Sequence, residues 1–388
     1  MPAVLHPAAL AWHQLRDQPA RFLVAVAGVG FAVILMLMQL GFRAALFASA
    51  VRFHQRLRAD VVLINPLSRA LVAMRAFPRL RLYQVLSVPG VESVSAVYVS
   101  SSAVWKNLET GWSRDILMIG IDPNQDVLDI PEVKRQREAL RLPDVVLFDR
   151  ASRPEYGAVA ETLGGGRTMD IEIGNRRISV VGVYQLGTSF GYDGMVITSD
   201  LNYQRIRPVQ PAELIDLGLI RVRPGADPDA VRAAVDAVLP EDVQVYTKRQ
   251  YIDREIGYWA KVTPIGFIFS FGALMGFGVG AVIVYQILFA DVSDHLSEYA
   301  TLKAVGHTDL YLAAVVVSEA AMLAVLGFLP GLGIAHRLYR LTEQATKLPL
   351  HLSTQIALSV LGLTMVMCSL AGILALRKVA SADPAEVF

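Results

Sequence analysis

IVYQILFADVSDHLSEYATLKAVG, Ile283–Gly306, is the stretch on which the reading of this chain turns. It begins as the end of an apolar helix and passes, with no Pro or Gly break, into a polar amphipathic segment ending at Gly306. A second apolar run begins at Leu310. Packing alone does not explain a short amphipathic helix set between two membrane spans, so the pattern predicts that something soluble docks on it.

The flanking runs set the frame. Thr263–Leu288 precedes the segment, Leu310–Ile334 follows it, Gln355–Leu376 comes last and Phe22–Leu40 lies near the start. A bilayer core of ~30 Å needs about 20 apolar residues in a helix, which each run approaches or exceeds. Phe22–Leu40 reads as an anchor, being too long for a signal-peptide core and lacking a small-residue cleavage site before Arg43. The 388 residues are 54% hydrophobic with a mean hydropathy of +0.43. That excess is concentrated in the four runs, with a sizeable polar part between the first two.

Arg43–Lys261 carries that polar part. Alternating or β-rich runs stand at Ser93–Ser100, Asp115–Ile121, Val145–Phe148 and Ile171–Val183, the last holding the hairpin signal Gly174-Asn175. Arg81–Leu86 reads as a helix leading through Pro89-Gly90 to a strand. Asp216–Val222, Asp227–Leu239 and Val243–Tyr246 read as strand, helix and strand. Two α/β pieces (43–114 and 212–261) thus flank a β-rich middle (115–211).

The remaining segments follow. Val4–Pro19 reads as a short amphipathic helix with Leu10, Trp12 and Leu15 on its apolar side, in an N-terminal segment 1–21. The spans are set at 22–42, 262–290, 310–335 and 355–376, with loops at 291–309 and 336–354 and a tail at 377–388. Tyr258 and Trp259 suit an interfacial belt at the entry to the second span. Gly272, Gly276 and Gly280 share one face of that span and predict close approach of another helix. Pro330 among Gly327, Gly331 and Gly333 predicts a kink or an early exit from the third span. Glu319 is the main ionisable residue within the spans, without a second carboxylate or a Lys, and reads as a helix-packing group rather than a proton relay.

Several chemistries are excluded or unsupported. A formal net charge of +1 with no basic cluster gives no case for nucleic-acid binding. Cys368 is the single cysteine, so no intrachain disulfide forms. No G-x-x-x-x-G-K-[ST] run occurs, no H-E-x-x-H or Cys/His cluster suggests a metal, and no G-x-S-x-G elbow is present. The chain reads as non-enzymatic, with no cofactor of its own. Parity puts both termini with the 291–309 loop on one side and the large domain on the other. Loop charges do not orient them, since Asp291, Asp294, Glu298 and Asp309 face a single Lys303 in that loop.

Glu298-Tyr299-Ala300-Thr301-Leu302-Lys303-Ala304-Val305-Gly306 resembles the E-[IY]-[AG]-x-L-[KR]-A-[ILMV]-G pattern of FtsX/MacB-like (type VII ABC) permeases. Ser318-Glu319-Ala320 looks like that family's following E-A element, and Asp383–Val387 like its C-terminal signature. Leu82–Val99, Trp105–Pro123, Asp193–Tyr203 and Tyr285–Gly306 look like the DevC branch. The resemblance covers the whole chain. It implies four transmembrane helices plus a large α+β periplasmic domain, in the inner membrane with both termini cytoplasmic. It also implies a division of labour with a separate DevA-type ATPase holding ATP and Mg, since MacB itself fuses its ATPase and this chain has no P-loop. Further implied partners are a DevB-type membrane-fusion adaptor, a TolC-like outer-membrane channel reached indirectly, membrane lipid and a second copy of the chain. The expected activity is export of a lipid-like or amphiphilic, glycolipid-type cargo by mechanotransmission. The alternative is FtsX-like regulation of periplasmic cell-wall enzymes without transport.

On this resemblance the ATPase-coupling residues are Asp294, His295, Leu296, Glu298, Tyr299, Ala300, Leu302, Lys303, Val305 and Gly306. Periodicity suggests Leu296, Tyr299, Ala300 and Leu302 as the side covered by the ATPase, with Asp294, Glu298 and Lys303 towards the rim. Three acids argue against the alternative of a helix lying on anionic lipid.

Overall fold

A computed structural model describes residues 7–208 and 210–380. In chain order, α1 (Pro7–Asp17) and α2 (Pro19–Ala50) lead to α3 (Arg52–Arg56), β1 (Val61–Ile64) and β2 (Phe77–Pro78). Then come α4 (Leu80–Gln84), β3 (Val91–Asn107), β4 (Ser113–Ile121), α5 (Pro131–Arg135) and β5 (Val145–Asp149). These are followed by α6 (Val159–Gly164), β6 (Met169–Ile173), β7 (Arg176–Tyr184), β8 (Met195–Ser199) and α7 (Asp200–Ile206). The domain closes with β9 (Leu214–Ile215), β10 (Leu217–Val222), α8 (Pro228–Val238), β11 (Gln244–Thr247) and α9 (Lys248–Gly257). Three long helices and a short one follow: α10 (Pro264–Asp294), the short α11 (Leu296–Ala304), α12 (Asp309–Thr346) and α13 (Thr354–Ala380). The expected tail signature at Asp383–Val387, and Val4–His6 of the expected N-terminal helix, lie outside the described residues.

The chain divides into two compact units, Leu46–Pro264 with Thr346–Pro349, and the helices that make up the rest. In the first unit, nine strands form one sheet in the order β11-β1-β10-β3-β4-β8-β5-β7-β6. β3 also pairs with β6, so β3-β4-β8-β5-β7-β6 closes on itself, which leaves those strands no open edge. The strand β3 makes this possible by its length. Its first part pairs with β10 and its later part with β4 and β6, with a register shift between Ser100 and Ala103. The two parts distinguished by composition are therefore joined through one strand.

Burial follows the pleat. Val61 and Leu63 enter a core shared with Leu82, Val231 and Val235, whereas Val62 and Ile64 enter another shared with Phe53 and Tyr251. A sheet covered on both faces explains why β1 is an unbroken apolar run. Gly174 and Asn175 turn β6 into β7 with φ of 60° and 59°, as a tight type I′ hairpin demands. Asp227 caps α8 through the N–H groups of Asp229 and Ala230, and Thr247 with Gln250 forms a capping box on α9.

At the end of this unit Glu255 is 2% exposed and accepts from Leu71 N at 3.0 Å and Trp259 Nε1 at 2.9 Å. Trp259, read as a belt residue, is thus tied into the domain. A π-helical turn, Tyr258–Val262, separates α9 from α10.

In the helical unit, α2, α10, α12 and α13 are each long and apolar enough to cross a membrane. Their shared core takes Ala25, Val29, Ala32, Val33, Met36 and Leu37 from α2, with Val284, Leu288, Ala324 and Met367 from the other three. Of the kink or early exit expected at Pro330, the early exit is not seen: the third apolar helix runs through Pro330 to Thr346. Gly327 and Gly331 stand against Gly30 of α2, the Gly331 Cβ position lying 3.0 Å from the Gly30 carbonyl oxygen. That close packing holds the helix across the proline, where neighbouring helices in lipid compensate for the missing N–H.

Candidate partner-docking site

The site is built by α10 failing to stop where its apolar run stops. Val292, Tyr299, Leu312 and Val316 form a small buried cluster, with Leu302, Tyr311 and Leu376 packed against it. Helix α10 therefore continues to Asp294, and His295 links it to α11 with Nδ1 2.9 Å from the Asp291 carbonyl oxygen. The far end of α11 is a Schellman turn. His307 N donates to Leu302 O and Gly306 N to Lys303 O, each at 3.0 Å, with Gly306 at φ 103°. A side chain at 306 would be strained there, which gives the glycine of the segment its reason.

Each face of α11 has a distinct environment. Tyr299 is buried, and Leu296, Ala300 and Leu302 are half-buried. The other side presents Ser297, Glu298, Thr301, Ala304 and Val305, all exposed, with Val305 at 70%. The side expected to be covered by a partner is thus packed within the chain. Tyr299 and Leu302 hold α11 against its own chain, so the surface free for a partner is the one centred on Glu298, Thr301 and Val305. Periodicity located two faces but, with apolar residues on both, did not show which was already occupied.

The charged residues sort in the same way. Lys303 Nζ lies 2.6 Å from Asp309 Oδ1, tying the end of α11 to the start of α12. Asp294 pairs with Arg21 of α2. Glu298 has no ion-pair partner among the described residues, and Leu310, 80% exposed, adds an apolar group beyond the turn. The exposed side of the segment is thus a mixed surface, one free acid beside small and aliphatic groups, suited to a protein partner.

The glycine face also has an occupant. Added Cβ atoms would stand 2.6 Å from Gln39 Cδ at Gly272, 3.2 Å from Leu35 Cβ at Gly276 and 2.6 Å from Ala32 Cβ at Gly280. The close approach is made by α2 of the same chain, so these glycines are no argument for a second copy. Glu319, expected as a helix-packing group without a second carboxylate nearby, has one. It is buried at 1% exposure and lies beside the buried carboxyl of Asp291, a residue the sequence assigned to a loop. Asp291 was missed because a charge at the end of an apolar run reads as the boundary of a span.

Among the described residues, no group of three or more His, Cys, Asp or Glu is placed to hold a metal ion.

A family model described as a MacB-like periplasmic core domain matches residues 22–238, and one described as the FtsX-like permease C-terminal region matches residues 269–384. Two uncharacterized ABC transporter permeases from two strains of Mycobacterium tuberculosis are each 24% identical to this chain over 242 residues. That match covers 61% of this chain and 62% of theirs, so it spans less than two thirds of those relatives' length. Similar solved structures include the periplasmic region of MacB from Actinobacillus actinomycetemcomitans. It shows a TM-score of 0.35 and 10% identity over 52% of this chain and 94% of that one. Another is the extracellular domain of YknZ, a noncanonic ABC-type transporter from Gram-positive bacteria. Its TM-score is 0.32 at 14% identity, over 48% of this chain and 99% of that one. With the first match alone covering more than half of the chain and the two together reaching most of the large domain and all four apolar helices, the chain belongs to the FtsX- and MacB-like permeases.

Proposed function

We propose that this chain is the membrane subunit of an ABC exporter, and that a separate ATPase docks on the exposed side of α11. The observation that carries the reading is α11 itself: a short helix between two apolar helices, anchored through Tyr299 and Leu302, with Glu298, Thr301 and Val305 left open. The ATPase supplies the nucleotide chemistry, binding ATP and Mg. The chain supplies the seat and the connection, because α10 runs from Pro264 to Asp294 without a break before α11. Movement at α11 is then transmitted along α10 rather than used to pass cargo through a polar channel between the spans.

In this reading both termini and α11 are cytoplasmic, and the large domain is periplasmic. The DevC-like stretches support an amphiphilic, glycolipid-type cargo handed to a membrane-fusion adaptor and an outer-membrane channel. A second copy of the chain would complete the assembly through surfaces other than the glycine face of α10.

Copurification tests the docking. The detergent-solubilised chain is expected to retain an ABC-type ATPase expressed with it, and Val305→Arg to abolish retention while leaving the chain folded. Retention unaffected by Val305→Arg and by Glu298→Lys would remove α11 as the seat.

A further inference from the structure

The docking reading leaves unused the buried pair formed by Asp291 of α10 and Glu319 of α12. Asp291 is 8% exposed and Glu319 1%, and the two buried carboxyls are neighbours. Asp291 Oδ2 and Glu319 Oε2 have no hydrogen-bond donor among the described residues. Among the described residues the surroundings offer little counter-charge. His295 Nδ1 is 3.6 Å from Asp291 Oδ1 but is also within hydrogen-bond distance of a backbone carbonyl. Arg21 is engaged by Asp294, which itself adds a negative charge, and Lys303 is engaged by Asp309. The other neighbours on α10, α11 and α12 include Val292, Tyr299, Leu312 and Val316.

Two bare carboxylates in contact, away from water, repel strongly, whereas one proton between them removes a charge and supplies the hydrogen bond. We propose that Asp291 and Glu319 form a proton-binding site at the joint between the second span and α11, the two carboxyls holding one proton between them. Loss of that proton leaves two like charges on different helices. They push α10 from α12 one turn before His295, the residue from which α11 starts. The site therefore links protonation to the seating of α11, and it stands whether or not an ATPase docks there.

The test is reversible unfolding of the full-length chain in mixed dodecylmaltoside and SDS micelles as a function of pH. A proton held by the folded chain and released on unfolding makes stability fall as pH rises. For one proton the unfolding constant increases roughly tenfold per pH unit, over the range above about pH 5 where unfolded carboxyls are ionised. Wild type should show this slope. Glu319→Gln and Asp291→Asn should lose it while remaining folded, because the amide donates to the remaining carboxylate without a bound proton. Infrared spectra should show a neutral carboxylic carbonyl band in wild type that both variants lack, a readout that survives poor folding of either variant. Equal slopes in wild type and both variants, or no neutral-carboxyl band in wild type, would overturn the proposal. So would a wild-type slope abolished by replacing choline with sodium at constant ionic strength, which would assign the site to a metal cation.

Discussion

Single positions in the helical unit differ sharply in what they tolerate, and two glycines one turn-fraction apart show it. A Cβ at Gly280 would meet Met367 Sδ at 2.5 Å and Ala32 Cβ at 2.6 Å, whereas one at Gly278 would meet nothing within 4 Å. Gly280→Val should cost about 1–3 kcal/mol, the usual penalty of overpacking, and Gly278→Val should be near neutral in the same detergent unfolding assay. Equal effects would mean that α2 does not lie on the glycine face. The sequence showed that these glycines share a face but not which helix fills it, because small-residue spacing is the same for a partner inside the chain and one outside it. Asp291 teaches the converse lesson. Its charge marked the end of a span in the sequence, yet the carboxyl is taken inside because Glu319 on another helix meets it.

Among the elements, those legible in advance were those with local signals. The four apolar helices followed from run length, the β6–β7 hairpin from Gly174-Asn175, and α8 from a periodic stretch after Asp227. β1 and β8 were not anticipated, since Val61–Ile64 and Met195–Ser199 are short runs whose meaning depends on strands far away in the chain. The β10 strand begins just after a buried acid that gives the large domain its own pH dependence. Asp216 accepts from Val99 N at 2.8 Å, but burial outweighs that bond and raises its pKa above the usual carboxylate range. A raised folded-state pKa gives a contribution to stability that is complete below the unfolded value and is lost as pH rises through the folded one. Wild type should therefore gain stability relative to Asp216→Asn on acidification from neutral pH towards about pH 4, read as denaturation midpoints at both pH values. A gain in the opposite direction would show that hydrogen bonding, not burial, dominates at Asp216.

For the molecule as a whole, the account rests on α11 being held by one side and open on the other. Family membership follows from matches over most of the large domain and the later helices, whereas which face of α11 is left open is a property of packing, read from the structure. Maleimide footprinting of single cysteines along α11, with and without the bound ATPase, tests this most directly; Cys368 is buried and gives a quiet background. The account predicts that labelling at 298, 301 and 305 is blocked by the ATPase while labelling at 296, 300 and 302 stays slow and unchanged. Protection confined to 296, 300 and 302, or no protection anywhere on α11, would contradict it.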